Sequence, residues 1–282
     1  MKDELGTRIK EQYEDRSRFM LPRRTYTIIR VDGKAFHTLT HGFNRPFDRD
    51  LMEIMDKTAI ALCEEVQGTK MAFVQSDEIS LLVTDFEDIK TSAYFDGNIQ
   101  KIASITASIA TAEFNSQFNK LATAAAQSGN GAGVNKYLTG DYGQLKRALF
   151  DARAFTIPDP IEVENYFVWR QKDAERNSIQ MVARAHFSHK ECHKKSTSDL
   201  HEMLFAKGIN WNDFTSGEKR GRIILKQSYT TTITPPGREP VEVTRQRWVS
   251  YDGTGCDDRY ETPIFAKDKN FLTQFIPIID RS

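Results

Sequence analysis

Two acidic residues stand where the chain turns. Asp32 follows the β-branched and aromatic run Thr25–Val31, and Asp77 lies in Gln75-Ser76-Asp77-Glu78, between the short apolar runs Met71–Val74 and Ile79–Val83. The first run predicts a strand and the two short runs an antiparallel hairpin. If that strand lies beside the hairpin, both carboxylates converge at one sheet edge. With the Gly33 carbonyl free to approach, they form an all-oxygen site suited to hydrated Mg²⁺. A pair of such ions would activate an attacking hydroxyl and stabilise the leaving pyrophosphate of a nucleotidyl transfer. Glu78 is a neighbour and a further catalytic candidate, not necessarily a ligand. Taken singly, Asp32-Gly33 is also explained as a turn and Ser76-Asp77-Glu78 as a solvated hairpin tip. Only their joint placement favours the metal.

The elements that must position them follow in order. Residues 3–16 predict a surface helix. Residues 48–66 predict an amphipathic helix through Leu51, Ile54, Met55, Ala59, Leu62 and Val66, with Asp48 as N-cap and Gly68 as the stop. A second amphipathic helix is expected over 98–118, then a flexible excursion over 121–144, and a strand over 148–157. This βαββαβ order is the split-βαβ or ferredoxin-like arrangement, an α+β fold with an antiparallel sheet and two helices on one face, shared by polymerase palms and nucleotide cyclases. Beyond it, Asp159-Pro160 opens a helix through Arg170, a further helix covers about 177–187, and strands 228–234 and 241–251 flank Pro235-Pro236-Gly237. The expected organisation is a palm-like catalytic domain with an N-terminal helix over 1–158, and a helical and hairpin extension over 159–282 packed on it.

In 282 residues, 39 Lys+Arg balance 39 Asp+Glu. Zero net charge argues against binding nucleic acid by bulk charge, but local clusters remain at 16–24, 189–195, 219–226 and 238–247, where phosphate contacts could position an RNA. No apolar run approaches the length of a membrane span, and the charged N-terminus lacks the features of a secretory signal. Cys63, Cys192 and Cys256 give no disulfide framework and fit a reducing cytosol, so the expected location is cytoplasmic, without a membrane partner. His186, His189, Cys192 and His193 invite a zinc reading, but a matching second ligand pair is missing and a charged helix end explains them as well. Ser128–Gly133 predicts a linker, since no strand precedes it and no Gly-Lys-Ser/Thr follows. Tyr166, Phe167, Trp169 and Arg170 could stack on RNA or pack in the core.

The residues quoted so far belong to an ordered set: Ile29-Arg30-Val31-Asp32-Gly33-Lys34-Ala35-Phe36-His37, Phe43-Asn44-Arg45-Pro46, Gln75-Ser76-Asp77-Glu78, Phe150-Asp151-Ala152-Arg153, Trp169-Arg170-Gln171-Lys172-Asp173 and Lys219-Arg220-Gly221. Running from about residue 10 to about 222, this set resembles the tRNA-His guanylyltransferase family of 3′-to-5′ polymerases. The resemblance implies a polymerase palm run backwards, in which the 5′ end of an RNA carries the activated phosphate and the 3′-hydroxyl of an incoming nucleotide attacks it. ATP or GTP would activate a 5′-monophosphate end. The implied metal ligands, for two Mg²⁺ ions, fall on Asp32, Gly33 and Asp77. The implied nucleotide site falls on Lys34, Ala35, Phe36, His37 and Ser76, with Arg45, Lys101 and Arg153 on the triphosphate. Implied RNA contacts fall on Trp169, Arg170, Asn177, Lys219 and Arg220. The implied partners are tRNA and nucleoside triphosphates, and the implied assembly is a homotetramer.

One departure is informative. Eukaryotic members carry His-Ile-Asn-Asn where this chain has Glu175-Arg176-Asn177-Ser178. The chain therefore looks more like the guanylyltransferase-like branch, whose members repair 5′-truncated tRNAs by templated addition, than like an enzyme that adds a single 5′ guanosine to tRNA-His. Two other readings remain beside it: a cyclase-like palm that makes a small molecule, and a tRNA-binding protein without catalysis.

Overall fold

The computed structural model of the chain describes residues 3–128, 131–139, 144–234, 239–253 and 261–278. Its strands are β1 (Tyr26–Gly33), β2 (Thr69–Gln75), β3 (Glu78–Val83), the short pair β4 (Leu138–Thr139) and β5 (Gln144–Leu145), then β6 (Phe150–Ile157), β7 (Arg222–Ile233) and β8 (Val241–Tyr251). The main sheet runs β6-β1-β3-β2-β7-β8, with every pairing antiparallel. Its first four strands have the ferredoxin-like order, and the fold is α+β as the sequence predicts. The C-terminal hairpin adds to the β2 edge, so the sheet continues into the last third of the chain. β7 begins six residues before the expected Ser228, because Ile223, Ile224 and Leu225 are buried against β2. The residues 235–238 that join the hairpin, including Pro235-Pro236-Gly237 and Arg238, lie outside the described residues, as does Cys256.

The helices are α1 (Glu4–Ile9), α2 (Phe36–Leu39), α3 (Arg49–Glu65), α4 (Ile99–Gln127), α5 (Gly131–Asn135), α6 (Pro160–His186), α7 (His189–Cys192), α8 (Thr197–Ala206), α9 (Ser216–Arg220) and α10 (Lys269–Thr273). α3 and α4 cover one face of the sheet, packing Met55, Ala59, Leu62, Phe114 and Phe118 on Ile29, Val31, Ala72, Val74 and Leu81. The other face is covered by α6 and the C-terminal segment, with Val163, Phe167, Phe265, Leu272 and Ile276 against Ile28, Met71, Phe73 and Leu82. Covering on both faces explains why β1 is apolar in succession, with Ile28 and Ile29 both buried, and does not alternate.

Two expected boundaries move. α4 runs to Gln127 and not to Phe118, because the stretch Leu121–Ala126 is built of strong helix formers and Leu121, Ala122 and Ala125 continue the packed stripe. Only the later part of the supposed excursion leaves the helix, as α5 and the β4–β5 pair; residues 129–130 and 140–143 lie outside the described residues. α6 is one helix where two were expected. The polar middle that separated them contains buried Gln171, whose amide donates to the Pro263 carbonyl and accepts from the Phe265 N–H, both at 2.8 Å, and buried Ala174.

Candidate active site

The register of the sheet brings the two turns together. Asp32 pairs across the ladder with Glu78, and the Gly33 N–H donates to the Asp77 carbonyl at 3.1 Å. Gly33 has no room for a side chain: a Cβ there would collide with the Phe36 ring, which is itself wedged between Phe114 and Phe150. Two non-glycine residues beside these turns, Ala35 (φ 54°) and Ser76 (φ 47°), hold left-handed backbone. Such conformations cost energy and persist where the surroundings over-determine them, commonly at functional sites. Burial pushes the Asp77 carboxyl above its ordinary range. The Ser76 hydroxyl and His37 pull it back, and the charge of Asp32 adds to the rise.

A cleft of about 620 Å³ opens at this end of the sheet. One wall is α2, the loop that follows it and the start of α3, contributing His37, Arg45 and Asp48. Its floor is Gly33, Gln75, Ser76 and Asp77, and the far wall is Asn177, Met181 and Arg184 of α6 with α9. The volume suits a small organic ligand. Two carboxylates brought close, with Asp77 largely buried and raised in pKa, form a pair that a divalent cation would relieve. With the Gly33 carbonyl they are the oxygen donors Mg²⁺ takes from a protein, the remainder coming from water and phosphate. The residues therefore fit the ion. Among the described residues no three His, Cys, Asp or Glu side chains converge as a metal cluster. His189 and His193 instead stack on each other at 5.9 Å.

Other expected site residues divide. Ser76, His37, Ala35, Arg45 and Asn177 line the cleft. Arg153 sits beside the carboxylates, its Nη2 3.9 Å from Asp32 and 3.7 Å from Asp151. Lys34 is exposed and does not line the cleft; its N–H donates to the Leu149 carbonyl at 2.8 Å. Phe36 touches the cleft, but its ring belongs to the core, so only its backbone is available to a ligand.

Four expectations change. Lys101 lies in the first turn of α4, whose N-cap Asn98 bridges to Met20. Its neighbour Ile102 shares a small hollow with Thr27 and Val83, at the opposite end of the sheet. From Thr27 to Gly33 the strand spans about 20 Å, so this lysine does not reach the cleft of its own chain. Glu78 points to the α6 face, where Arg170 Nε approaches it at 2.8 Å and Arg30 at 4.0 Å; it is an ion-pair partner and lies outside the cleft. Arg170 is only 5% exposed and bridges Glu78 and Asp173, so it is unavailable to RNA, whereas Trp169 beside it is 51% exposed. Lys219 and Arg220 are spent on backbone carbonyls, of Asn212 at 2.7 Å and Thr262 at 3.0 Å.

The sequence reading missed what holds the cleft loop. Lys146 Nζ donates to the carbonyls of Leu39, His41 and Lys136 at 3.0, 2.6 and 2.8 Å. Lys136 in turn reaches Asp48 at 3.2 Å and Asp50 at 2.7 Å, and the Tyr137 hydroxyl donates to Asp50 at 2.8 Å. The segment after α4 thus latches the loop that carries Arg45. Lone lysines give no sequence signal for such a role. Met181 and Arg184 were legible in principle, following Ala174 and Asn177 at helical spacing.

Comparison with known proteins identifies this architecture. A profile of the tRNAHis guanylyltransferase family matches residues 7–158, more than half of the chain. A bacterial tRNA(His) guanylyltransferase-like protein solved in complex with ATP is 37% identical with a TM-score of 0.76, covering 98% of this chain and 100% of that one. The structure of such a bacterial protein with GTP gives 36% and 0.74 over the same shares. The tRNA(His) guanylyltransferase of Debaryomyces hansenii is 29% identical over 230 residues, 77% of this chain and 78% of that protein. The turns that carry Asp32 and Asp77, the palm that aligns them and the likeness along nearly the whole chain agree: the protein belongs to the tRNAHis guanylyltransferase family of tRNA nucleotidyltransferases.

Proposed function

We propose that this chain extends the 5′ end of tRNA in the 3′-to-5′ direction by templated addition that repairs truncated ends, and that ATP or GTP activates ends bearing a monophosphate. The observation that carries the reading is the contact of Gly33 with Asp77 at the floor of a nucleotide-sized cleft, with Asp32 adjoining it at the end of the same strand. Its support from relatives is that bacterial family members were solved with ATP and with GTP.

Asp32, Asp77 and the Gly33 carbonyl would hold two Mg²⁺ ions, which supply charge neutralisation and an activated hydroxyl for the transfer. The chain's own residues do the positioning. His37 packs against the base, Ser76 bonds the nucleotide, and Arg45 and Arg153 orient phosphates, so the barrier is lowered by alignment and by fixed charge facing the developing negative charge. Residues 1–158 act as the catalytic palm, and 159–282 supply through α6 and α9 the second wall of the cleft. The assembly is a homotetramer.

The repair reading is favoured by the Glu175-Arg176-Asn177-Ser178 segment. Arg176 pairs with Asp173, and Ser178, though it borders the cleft, accepts from the Trp211 indole at 3.0 Å, which leaves the Asn177 amide as the side chain of this segment available to a ligand in the cleft. The second reading, addition of a single 5′ guanosine, has the names of the curated relatives in its favour. The two separate in one assay, in which 5′-truncated tRNAs with each opposing base receive labelled nucleotides. Addition that follows Watson–Crick pairing supports repair. Guanosine added whatever base stands opposite overturns it.

A further inference from the structure

We propose that a second, basic pocket at the end of α6, lined by Gln180, Arg184, His189, His193, Lys194 and Lys195, is a subsite for a backbone phosphate of the RNA whose 5′ end enters the cleft. The inference rests on reading the cleft as the site of 5′-end extension.

The pocket holds about 190 Å³. Arg184, Lys194 and Lys195 bring three fixed positive charges into it, and among the described residues none of the three forms an ion pair; Arg184 makes a 3.4 Å contact to the Gln180 amide oxygen. The carboxylates near it make their hydrogen bonds elsewhere, although Asp199 lies close enough to Lys195 to feel its charge. Glu191 accepts from the Ser188 N–H and hydroxyl, and Asp199 accepts from the Ser196 N–H, each closing a capping box. Asp199 offsets part of this charge without pairing with it, and the excess of like charge left in the concavity is relieved when an anion enters.

The backbone is bent to gather them. Lys194 is in the left-handed region at φ 58°, and consecutive residues of an extended chain point to opposite sides. The turn lets both lysines line one pocket, in a conformation that is strained for a residue bearing a β-carbon. The lining is polar around Leu200 and Cys192, and offers no aromatic platform on which a base would stack besides the two imidazoles. That chemistry suits a phosphate, which positions a strand without reading its sequence.

The pocket also continues the cleft. Arg184 lines both, and from Asn177 in the cleft to Arg184 is about 10 Å along the helix axis. An RNA with its terminus at Asp32 and Asp77 can follow α6 outward and rest a phosphate between Arg184 and the lysines.

The test leaves Arg184 alone, because it also faces the cleft, and uses the exposed lysines in the full-length chain as Lys194→Glu/Lys195→Glu, with Lys194→Ala/Lys195→Ala as a milder pair. Fluorescence anisotropy measures the affinity for a 5′-truncated tRNA across a potassium chloride series, and calorimetry measures ATP binding. The expected result is affinity for tRNA about tenfold weaker at low salt and a salt slope smaller by about 1, since each phosphate contact contributes about 0.7–0.9 to it. The Ala pair should change in the same direction by less, with ATP affinity and melting temperature unchanged. A wild-type protein that binds and extends tRNA alongside variants of unaltered slope overturns the pocket alone. A matching loss of ATP affinity also overturns it, by assigning the pocket to the nucleotide. A wild-type protein that binds no tRNA overturns both this proposal and the reading of the cleft.

Discussion

Replacing Lys146 by methionine should loosen the cleft loop that carries Arg45, proposed to orient phosphates, while leaving the carboxylate pair in place. The ammonium of Lys146 is held by three convergent carbonyls, of Leu39, His41 and Lys136, at 2.6–3.0 Å, and lies 5.7 Å from the Phe43 ring centre. A hydrogen bond from a charged donor contributes about 1.5–3 kcal/mol, but the three share one donor atom and are not additive. Burial lowers the pKa of this amine, so part of the gain offsets desolvation. A net loss of about 2–4 kcal/mol follows, with the carbonyls left to find water. At about 2–4 °C per kcal/mol for a large domain, the melting temperature should fall by roughly 4–16 °C. Methionine keeps the apolar stem, so little packing is lost. Because Asp32, Gly33 and Asp77 are fixed by the β1–β3 ladder and not by this loop, KM for the nucleotide should rise about tenfold or more, with kcat nearly unchanged. Arginine should rescue poorly, since its planar fork cannot aim three donors at three convergent oxygens. The assay is a thermal melt with initial rates on a 5′-triphosphorylated tRNA over a nucleotide series. A melting temperature that falls while KM stays put would refute the latch, as would a variant with neither change.

Three further outcomes follow from the same geometry. Gly33→Ala should cost about 1–3 kcal/mol by overpacking against the wedged Phe36 ring, and should also depress activity by displacing His37; melting and turnover measured together check it. Arg170→Met should destabilise by about 3 kcal/mol because it leaves the half-buried Glu78 with only the more distant Arg30, and Arg170→Met/Glu78→Gln should recover part of that loss, as a double-mutant cycle by urea unfolding would show. Asp50 has its pKa lowered below its ordinary 3.8: burial works against the shift, and hydrogen bonds from Lys136 and Tyr137 outweigh it. A depressed carboxylate stabilises above its unfolded pKa and loses that contribution as pH falls through the folded one. The wild type should therefore lose stability more steeply than Asp50→Asn below pH 3.8, read from melts across an acid series.

The palm was legible because its elements carry local signals. Apolar β1 and the β2–β3 hairpin announced themselves by residue type and turn chemistry, and α3 by its 3.6-residue period and the Asp48 cap. The convergence of Asp32 and Asp77 followed from topology once those elements were ordered. What stayed hidden depends on partners distant in sequence. Nothing local distinguishes Arg170, buried against Glu78, from a basic residue free to meet RNA, and the Trp-Arg pairing looks the same in either role. Lys219 and Arg220 look like a phosphate-binding pair until the carbonyls of Asn212 and Thr262 are seen to occupy them. Lys101 illustrates a further limit: its charge suits a triphosphate, but only the sheet reveals that α4 starts at the far end. α4 outruns its expected end because Leu121–Ala126 is rich in alanine, which breaks the apolar stripe but still sustains a helix.

The central claim is that Asp32 and Asp77, held together by the β1–β3 register, carry nucleotide addition to a 5′ end. The most direct measurement supplies a 5′-truncated, 5′-triphosphorylated tRNA and labelled nucleotide with Mg²⁺ to wild type, Asp32→Asn and Asp77→Asn, and follows 5′ extension. Each variant should lose extension by at least about a hundredfold, the scale on which removing one electrostatic catalytic group acts, while still binding tRNA. Extension at the wild-type rate in either variant would contradict the account.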